Sequence, residues 1–214
     1  MALKKRRNNP PVVTKYTEFK PLLREDFEHR CVYCGIHENE LGGPRLFAVE
    51  HLKPKGKFPL LRLDYTNTLY ACGICNSYKG EDWPSNNPLA DGKGYIDPCV
   101  VDYEHHFAID AQFAMTGISD VGRYMAKRLR LGRRQVSKKL ASRAAAEAAY
   151  QTTLNRIDRV MVLLSAVASG LPDHSNEKAA LSNELVAAQK ERAAIEAEWN
   201  TRWKPQVELD DYKA

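Results

Sequence analysis

Four of the five cysteines form two Cys-x-x-Cys pairs, and this pattern constrains the fold more than any other feature of the chain. The pairs are Cys31 with Cys34 and Cys72 with Cys75, and 37 residues separate them. Two such pairs let four thiolates converge on one zinc ion in a tetrahedron. Disulfides are the alternative, but they belong to exported proteins, and a reducing cytosol disfavours them. The spacing therefore predicts a structural zinc site and leaves Cys99 as a small buried residue.

The distribution of hydrophobic residues indicates the cellular compartment of the protein and the number of domains that it can form. No apolar run approaches the roughly 20 residues that span a bilayer. The basic N-terminus is not followed by the apolar stretch of a signal peptide. These patterns predict a cytoplasmic protein that is neither exported nor embedded in a membrane. A chain of 214 residues, 43% of them hydrophobic, has room for one or two packed domains.

Two short strands are predicted between the cysteine pairs. Residues 46–49 are apolar with aromatic and β-branched members, follow Gly-Gly-Pro and end at a Glu-His dipeptide. Residues 52–57 contain proline and glycine and therefore predict a loop. Residues 64–67 have the chemistry of a turn, and a returning strand is predicted at 68–71.

A helix is predicted directly after the second cysteine pair. If it begins near Ile74, Asn76 and Lys79 are three residues apart and lie on one face of the helix. The predicted order over residues 31–80 is then knuckle, strand, loop, strand, knuckle and helix.

The polar residues of this segment resemble the HNH endonuclease motif. They are Glu-His at 50–51, Asn67, Asn76 directly after the second cysteine pair, and Lys-Gly at 79–80. The resemblance covers residues 31–80, about a quarter of the chain. It implies an α+β fold in which a ββα-metal core is clamped by the four-cysteine zinc site and followed by an α-helical C-terminal extension. The last motif position is Asn rather than His, and a neutral amide leaves more of a bound metal's charge unbalanced.

The resemblance assigns candidate roles to four catalytic residues. His51 is the candidate general base, because an imidazole with a pKa of about 6.5 takes a proton from water near neutral pH. Asn67 resembles the family residue that holds the His region in place. Glu50 and Asn76 are the candidate ligands of a catalytic Mg²⁺ or Mn²⁺, since hard ions prefer oxygen. The zinc ion is expected to be structural, because four thiolates leave no open position.

Each of these residues also has a plainer interpretation. His51 alone is a satisfied polar residue, and Glu50 merely orients it. Asn76 is a helix cap, and Asn67 is an ordinary turn residue.

Basic residues are concentrated at 123–143, where nine of them occur and no acidic residue does. The spacing predicts two helices interrupted near Gly132. Such a block is a solvated face or a contact surface for phosphates, and beside an HNH motif we expect phosphate contact without sequence readout. The basic residues at 4–7 are expected to form a disordered arm that adds to it. The candidate nucleic-acid contacts are Lys53, Lys55, Lys79, Arg123, Lys127, Arg128, Arg130, Arg133 and Arg134.

The last third of the chain has apolar residues at helical spacing on both sides of a turn signal at 169–173. This pattern predicts an antiparallel helical hairpin. Three roles stay open for it: packing on the nuclease body, homodimerisation, or docking of a protein partner such as an ATPase. The predicted organisation is 1–30 basic arm and lead-in helix, 31–80 nuclease core, 81–122 irregular segment with short strands at 95–98 and 106–110, 123–143 basic block, 144–205 hairpin, and 206–214 tail.

The resemblance as a whole implies a metal-dependent HNH endonuclease that hydrolyses phosphodiester bonds in DNA. Some members of that family are effectors of bacterial antiviral defence that a partner switches on, with the hairpin as the docking element here. The alternative from another class is a non-catalytic zinc-ribbon protein that binds nucleic acid and has lost the chemistry.

Overall fold

The computed structural model describes residues 5–173 and 175–203. The chain forms two compact units, the first reaching to Ala141 and the second beginning at Ser142. The architecture is mixed α+β. The strands are β1 Phe47–His51, β2 Thr68–Cys72, β3 Phe107–Ile109 and β4 Met115–Gly117, and the helices are α1 Lys20–Asp26, α2 Gly73–Lys79, α3 Pro88–Asp91, α4 Asp120–Leu129, α5 Arg134–Ser169 and α6 Asn176–Trp203.

The centre of the first unit is the hairpin of β1 and β2, followed without a loop by α2. The strands are antiparallel, with Phe47 opposite Cys72 and His51 opposite Thr68. Every residue of β2 is buried. The side-chain sulfur of Cys72 caps the N-terminus of α2 by accepting a hydrogen bond from the backbone N–H of Cys75 (3.5 Å). The predicted order of knuckle, strand, loop, strand, knuckle and helix is confirmed.

A second hairpin differs from the prediction. The strand expected at 95–98 is absent from the described structure, although Tyr95 is buried, because Asp-Pro at its end interrupts backbone pairing. The strand expected at 106–110 forms as β3 and pairs with β4, which was not predicted. The glycine at 122 lets α4 approach this hairpin, since a Cβ atom there would lie 2.0 Å from the backbone oxygen of His106.

The basic block occupies two helices, as predicted. The α4 helix ends at Leu129, Arg130 adopts a left-handed conformation with φ of 50°, and α5 begins at Arg134. The α5 helix then continues through the Ala-rich segment at 144–146 to Ser169, so that the end of the basic block and the first arm of the predicted hairpin are one helix. None of the helices in the described ranges is both long and apolar enough to cross a membrane.

The second unit is the predicted helical hairpin, in which α5 packs against α6. Leu154 and Ile157 are buried in the seam between the two helices. The rings of Tyr150 and Trp199 stack with their centroids 4.5 Å apart. The end of the predicted hairpin at residue 205 and the tail at 206–214 lie outside the described residues.

The expectation of a disordered basic arm is wrong for Arg6 and Arg7. The Arg6 guanidinium donates to Asp97 (2.9 Å) and to the backbone oxygen of Thr68 (3.1 Å). The Arg7 side chain donates to Asp26 (3.0 Å). Because both guanidinium groups are engaged by the first unit, they are not free to contact phosphate. Lys4 lies outside the described residues.

Candidate metal centre and active site

The four paired cysteines meet in the core of the first unit. All four are buried, and their sulfur atoms lie within 4.8 Å of one another. The sulfurs of Cys34 and Cys72 are 4.0 Å apart. A tetrahedral zinc ion with Zn–S bonds of about 2.3 Å places its sulfurs about 3.8 Å apart, so the donor set fits zinc. Burial raises the pKa of the Cys31 thiol, and a bound cation offsets that effect by stabilising the thiolate. Cys99 is half-buried and lies outside this cluster.

The basic block contributes one side chain to the surroundings of these sulfurs. The Arg133 guanidinium lies 3.5 Å from the sulfur of Cys75 and donates to the backbone oxygen of Leu129 (2.7 Å). It also lies over the ring of Tyr78, 5.5 Å from the centroid. Four thiolates around a bound Zn²⁺ would carry a net charge of −2, which the Arg133 cation would partly balance. Arg133 is half-exposed and already has partners within the protein, so that its contact with phosphate stays a prediction.

The side chains of Glu50 and His51 have different surroundings, because successive residues of a strand point to opposite faces. The Glu50 carboxylate lies on the side of Tyr33, whose hydroxyl is 3.5 Å away, and of Lys79 in α2. The His51 ring lies against Tyr16, with ring centroids 4.9 Å apart in an edge contact. The side chains of these two candidate residues thus lie in separate surroundings.

Lys79 is held by both candidate residues of β1. Its ammonium lies 2.7 Å from Oε1 of Glu50 and donates to the backbone oxygen of His51 (2.8 Å). The Lys79 side chain is 0% exposed and that of Glu50 is 5% exposed. Burial raises the pKa of Glu50 despite the opposing charge of Lys79. The prediction that Lys79 contacts phosphate is therefore wrong, because the ammonium is buried and paired with the carboxylate of Glu50.

Replacing Lys79 tests how much this buried pair contributes to stability. We expect Lys79→Ala to lower the free energy of unfolding by about 3–5 kcal/mol, because the Glu50 carboxylate is left buried without its partner. The double variant Lys79→Met with Glu50→Leu should recover most of the loss. Urea unfolding followed by circular dichroism measures both, with Lys57→Ala at an exposed lysine as the control. A single variant as stable as the control would contradict a buried charge pair.

The hydrogen-bond partner of the His51 ring determines which of its two nitrogens carries the hydrogen. Its Nε2 lies 3.0 Å from the backbone oxygen of Arg62. A carbonyl oxygen only accepts, so a neutral ring carries its hydrogen on Nε2 and leaves the lone pair on Nδ1. Burial lowers the pKa of His51, the hydrogen bond to the Arg62 backbone oxygen opposes this shift, and the nearby charges of Lys55, Lys79 and Arg62 add to it, so that the pKa is lowered overall. The ring is therefore neutral at pH 7, which is the state that accepts a proton.

Asn67 fastens the loop that lies between the two strands. Its Oδ1 accepts from the backbone N–H of Lys53 (2.9 Å). Its Nδ2 donates to the backbone oxygens of Lys53 (3.0 Å) and Leu61 (3.3 Å). Leu61 directly precedes Arg62, whose oxygen accepts from His51. The contacts of Asn67 therefore fix the loop that orients the His51 ring.

Asn76 lies in α2, one turn before Lys79 and on the same side of the helix. Its side chain is half-buried and forms no hydrogen bond with the described residues. Its amide oxygen and the Glu50 carboxylate are hard donors that suit a divalent ion whose other ligands are water and phosphate. Because Oε1 of Glu50 is held by Lys79, Oε2 is the oxygen left for such an ion. No second cluster of three His, Cys, Asp or Glu ligands occurs in the described ranges.

The remaining basic candidates fall into two groups. Several are engaged within the protein: Arg123 on Asp120 (2.6 Å), Arg128 on Asp82 (3.3 Å), Arg130 over the Tyr78 ring (4.9 Å), Lys55 on the Tyr16 hydroxyl (2.8 Å) and Lys53 over the Phe58 ring (5.8 Å). Lys127 and Arg134 are exposed and have no partner among the described residues, as is also true of Lys138. All of these side chains except Lys53 are exposed, so that phosphate remains accessible to them.

Sequence reasoning missed three residues that surround the candidate groups: Tyr16, Tyr33 and Arg62. Tyr16 and Arg62 lie against His51, with the Arg62 guanidinium over the Tyr16 ring (5.5 Å). Tyr33 lies inside the first cysteine pair and its hydroxyl faces Glu50. No local pattern marks these residues, because each reaches the site through the fold rather than through its neighbours in sequence.

Comparison with known proteins adds no family to these observations. No protein-family model, no curated protein and no solved structure matches this chain. The site is therefore described by its own residues. A buried four-cysteine cluster fits zinc, and two of its cysteines belong to the β-hairpin and the short helix that carry Glu50, His51 and Asn76.

Proposed function

We propose that this protein is a metal-dependent endonuclease of the HNH type that hydrolyses phosphodiester bonds in DNA. The observation that carries the proposal is the way His51 is held at the end of β1. Its Nε2 donates to the backbone oxygen of Arg62, so that Nδ1 keeps a lone pair, and no described residue donates to that lone pair. Nδ1 of His51 is not one of the buried, unpartnered side-chain nitrogens of the described residues, so its lone pair is open to solvent, where an attacking water would lie.

His51 then acts as the general base. Its Nδ1 removes a proton from the attacking water, and Nε2–H shares the resulting positive charge with the Arg62 oxygen. Asn67 keeps the loop fixed while the ring changes its protonation state. The exposed cations Lys55 and Arg62 lie beside His51 and attract the phosphate that the water attacks.

Glu50 and Asn76 would hold the divalent ion on the α2 side of the hairpin. When bound, such an ion stabilises the negative charge of the transition state and of the leaving oxygen. Lys79 fixes the Glu50 carboxylate through Oε1 and joins it to the backbone of His51. The Glu50 carboxylate is thereby held in a fixed position relative to His51.

DNA is the substrate that the resemblance favours, and the unpaired cations of the basic block support phosphate binding. Lys127, Arg134 and Lys138 are exposed and have no partner within the described chain. Such cations give affinity for any nucleic-acid backbone and make binding fall with salt concentration. They do not distinguish one sequence from another.

One observation favours the alternative of a non-catalytic nucleic-acid-binding protein. The Glu50 carboxylate is paired with a buried lysine, and this cation opposes the binding of a second cation at the same group. A protein that had lost the chemistry would retain the zinc site and the basic block. It would bind DNA without cutting it in the presence of any metal.

The two functions are separated by incubating the purified protein with plasmid, single-stranded DNA and RNA, in EDTA, Mg²⁺ or Mn²⁺. We expect cleavage of DNA that requires the added ion, with EDTA applied briefly enough to leave the zinc content unchanged. DNA binding without cleavage under every condition would establish the alternative.

The pH dependence of cleavage follows from the direction in which the pKa of His51 is shifted. Burial lowers that pKa below its ordinary value of 6.5. The base must be neutral, so the rate constant should be level at neutral pH and should fall about tenfold per unit below the lowered pKa. A single-turnover pH profile measures this, and a rate still rising with pH above 7 would contradict it.

A further inference from the structure

The hairpin of α5 and α6 leaves its own seam half-exposed. Leu154 and Ile157 are buried. Other apolar seam residues within the described second unit are half-buried: Met161, Leu164, Leu181, Leu185 and Ile195. Two helices cover each other on one side only, whereas a bundle of four encloses its seam. The hairpin therefore has an incomplete core as a single copy.

One flank of the hairpin also exposes a stripe of apolar side chains. Val160, Leu163 and Val167 follow each other at spacings of three and four on α5, and they are 43%, 65% and 56% exposed. We refer to these three residues as the α5 stripe. A groove between the helices runs beside it and is lined by Val160 of α5 and by Ala188 and Glu191 of α6. The stripe and the groove form one continuous surface.

Charges of both signs border this surface without partners. Arg156 and Arg159 line the same face of α5 as the stripe. Glutamates recur every seven residues on α6, at 177, 184, 191 and 198. Arg156, Arg159, Glu184 and Glu191 form no ion pair with any residue that the structure describes. The stripe flank thus presents unpaired cations on one helix and unpaired anions on the other.

The opposite flank of the hairpin is paired internally. Arg192 bonds to Asp158 across the seam (2.7 Å) and to Glu196 along α6 (2.7 Å). The contact between Arg192 and Asp158 also fixes the position of α6 relative to α5 along the direction of the two antiparallel helices. It places Glu191 at the height of Arg159.

We propose that the stripe flank is a homodimer interface, in which a second copy of this chain lays its hairpin against the first. A two-fold axis parallel to the helices packs α5 of each copy against α6 of the other in a four-helix bundle. A rotation about this axis leaves each residue at the same position along the bundle. Arg156 and Arg159 of one copy therefore meet Glu191 of the second copy. Glu184 of the second copy lies about two helical turns further along, beside the stripe. A partner with charge of one sign would leave the other sign unpaired, so a second copy satisfies the surface better.

The small residues of α6 support this packing. Ala187 and Ala194 alternate with Glu184 and Glu191 on α6. Small side chains let the α5 stripe of the second copy approach α6 closely, and the aliphatic parts of the glutamates cover its edges. The interface is thus apolar at its centre and charged at its rim, as expected of a stable contact.

The test is the mass of the full, zinc-loaded chain in solution. Light scattering at about 50 µM should give twice the 24.2 kDa of one chain. Leu163→Glu places a charge at the centre of the interface and should raise the dimer dissociation constant at least about 100-fold. Val162→Glu is the matched control, because Val162 is 68% exposed but lies on another side of α5, and this variant should remain dimeric.

Charge exchange tests the pairing itself. Arg156→Glu with Arg159→Glu should dissociate the dimer, and adding Glu184→Arg with Glu191→Arg should restore it. Circular dichroism checks that each variant keeps its helix content. Three results overturn the proposal: a single-chain mass for the unchanged protein, a dimeric Leu163→Glu variant, or a fourfold variant that stays monomeric. A monomeric chain that binds a different protein would also overturn the proposal, because it gives the single-chain mass.

Discussion

Replacing His51 with alanine should lower the single-turnover rate of DNA cleavage by about 1,000-fold. General base catalysis contributes about 100- to 10,000-fold to such reactions, and the variant removes the nitrogen that we propose as the proton acceptor. The zinc content should stay close to that of the unchanged protein, because the four cysteines are untouched. The melting temperature should fall but the chain should remain folded, because the variant removes a buried ring and leaves the Glu50–Lys79 pair in place. The measurement is quenched-flow cleavage of a labelled duplex in Mg²⁺ or Mn²⁺.

Two further variants separate the basicity of His51 from its position. His51→Gln retains an amide N–H that can reach the Arg62 oxygen but has no basic nitrogen, so it should be as slow as His51→Ala. His105→Ala removes an exposed histidine elsewhere in the first unit and should cleave at the normal rate. A rate within tenfold of normal for both His51 variants would exclude His51 as the general base.

Removing zinc should have the largest effect on stability. Structural zinc sites contribute on the order of 10 kcal/mol of apparent folding free energy, which exceeds the stability of most small domains. We therefore expect Cys31→Ser to lose bound zinc and to unfold cooperatively at a much lower temperature, or to fail to fold. Zinc content by mass spectrometry and thermal unfolding by circular dichroism measure both effects.

The fifth cysteine supplies the matched control. Cys99 is half-buried and lies outside the four-cysteine cluster, so Cys99→Ser should retain one zinc per chain and nearly normal stability. Equal zinc content in the Cys31→Ser and Cys99→Ser variants would contradict the proposed ligand set.

The parts of the fold that local chemistry determines were predictable from the sequence. The cysteine spacing, the Pro-Gly loop and the turn before Asn67 act over a few residues, and the order of β1, β2 and α2 follows from them. The interruption near Gly132 and the hairpin of α5 and α6 follow from residues that break or continue a helix.

The predictions that failed depend on contacts between distant residues. Lys79 looks like an exposed lysine until the fold places Glu50 beside it. The contact of Arg133 with Cys75 was likewise not predicted, because only the fold brings α2 to the basic block. The pairing of β3 with β4 was missed because β4 is three residues long and ends in glycine. In each case the contact that a charged residue makes, or the pairing of a strand, depends on a distant partner that sequence periodicity does not reveal.

The short helix α2 also limits how this protein can change in length. Cys72 caps the helix at one end, and Lys79, seven residues later, joins Glu50 to His51 at the other. One inserted residue would rotate Lys79 by about 100° relative to the cysteines and turn its ammonium away from both partners. We therefore expect substitutions to be tolerated at the exposed positions of α2, such as Ser77, and insertions and deletions in the helix to disrupt the fold. The helix acts as a fixed spacer between the four-cysteine cluster and the strand that carries Glu50 and His51, and we expect its length to be under tighter constraint than its composition.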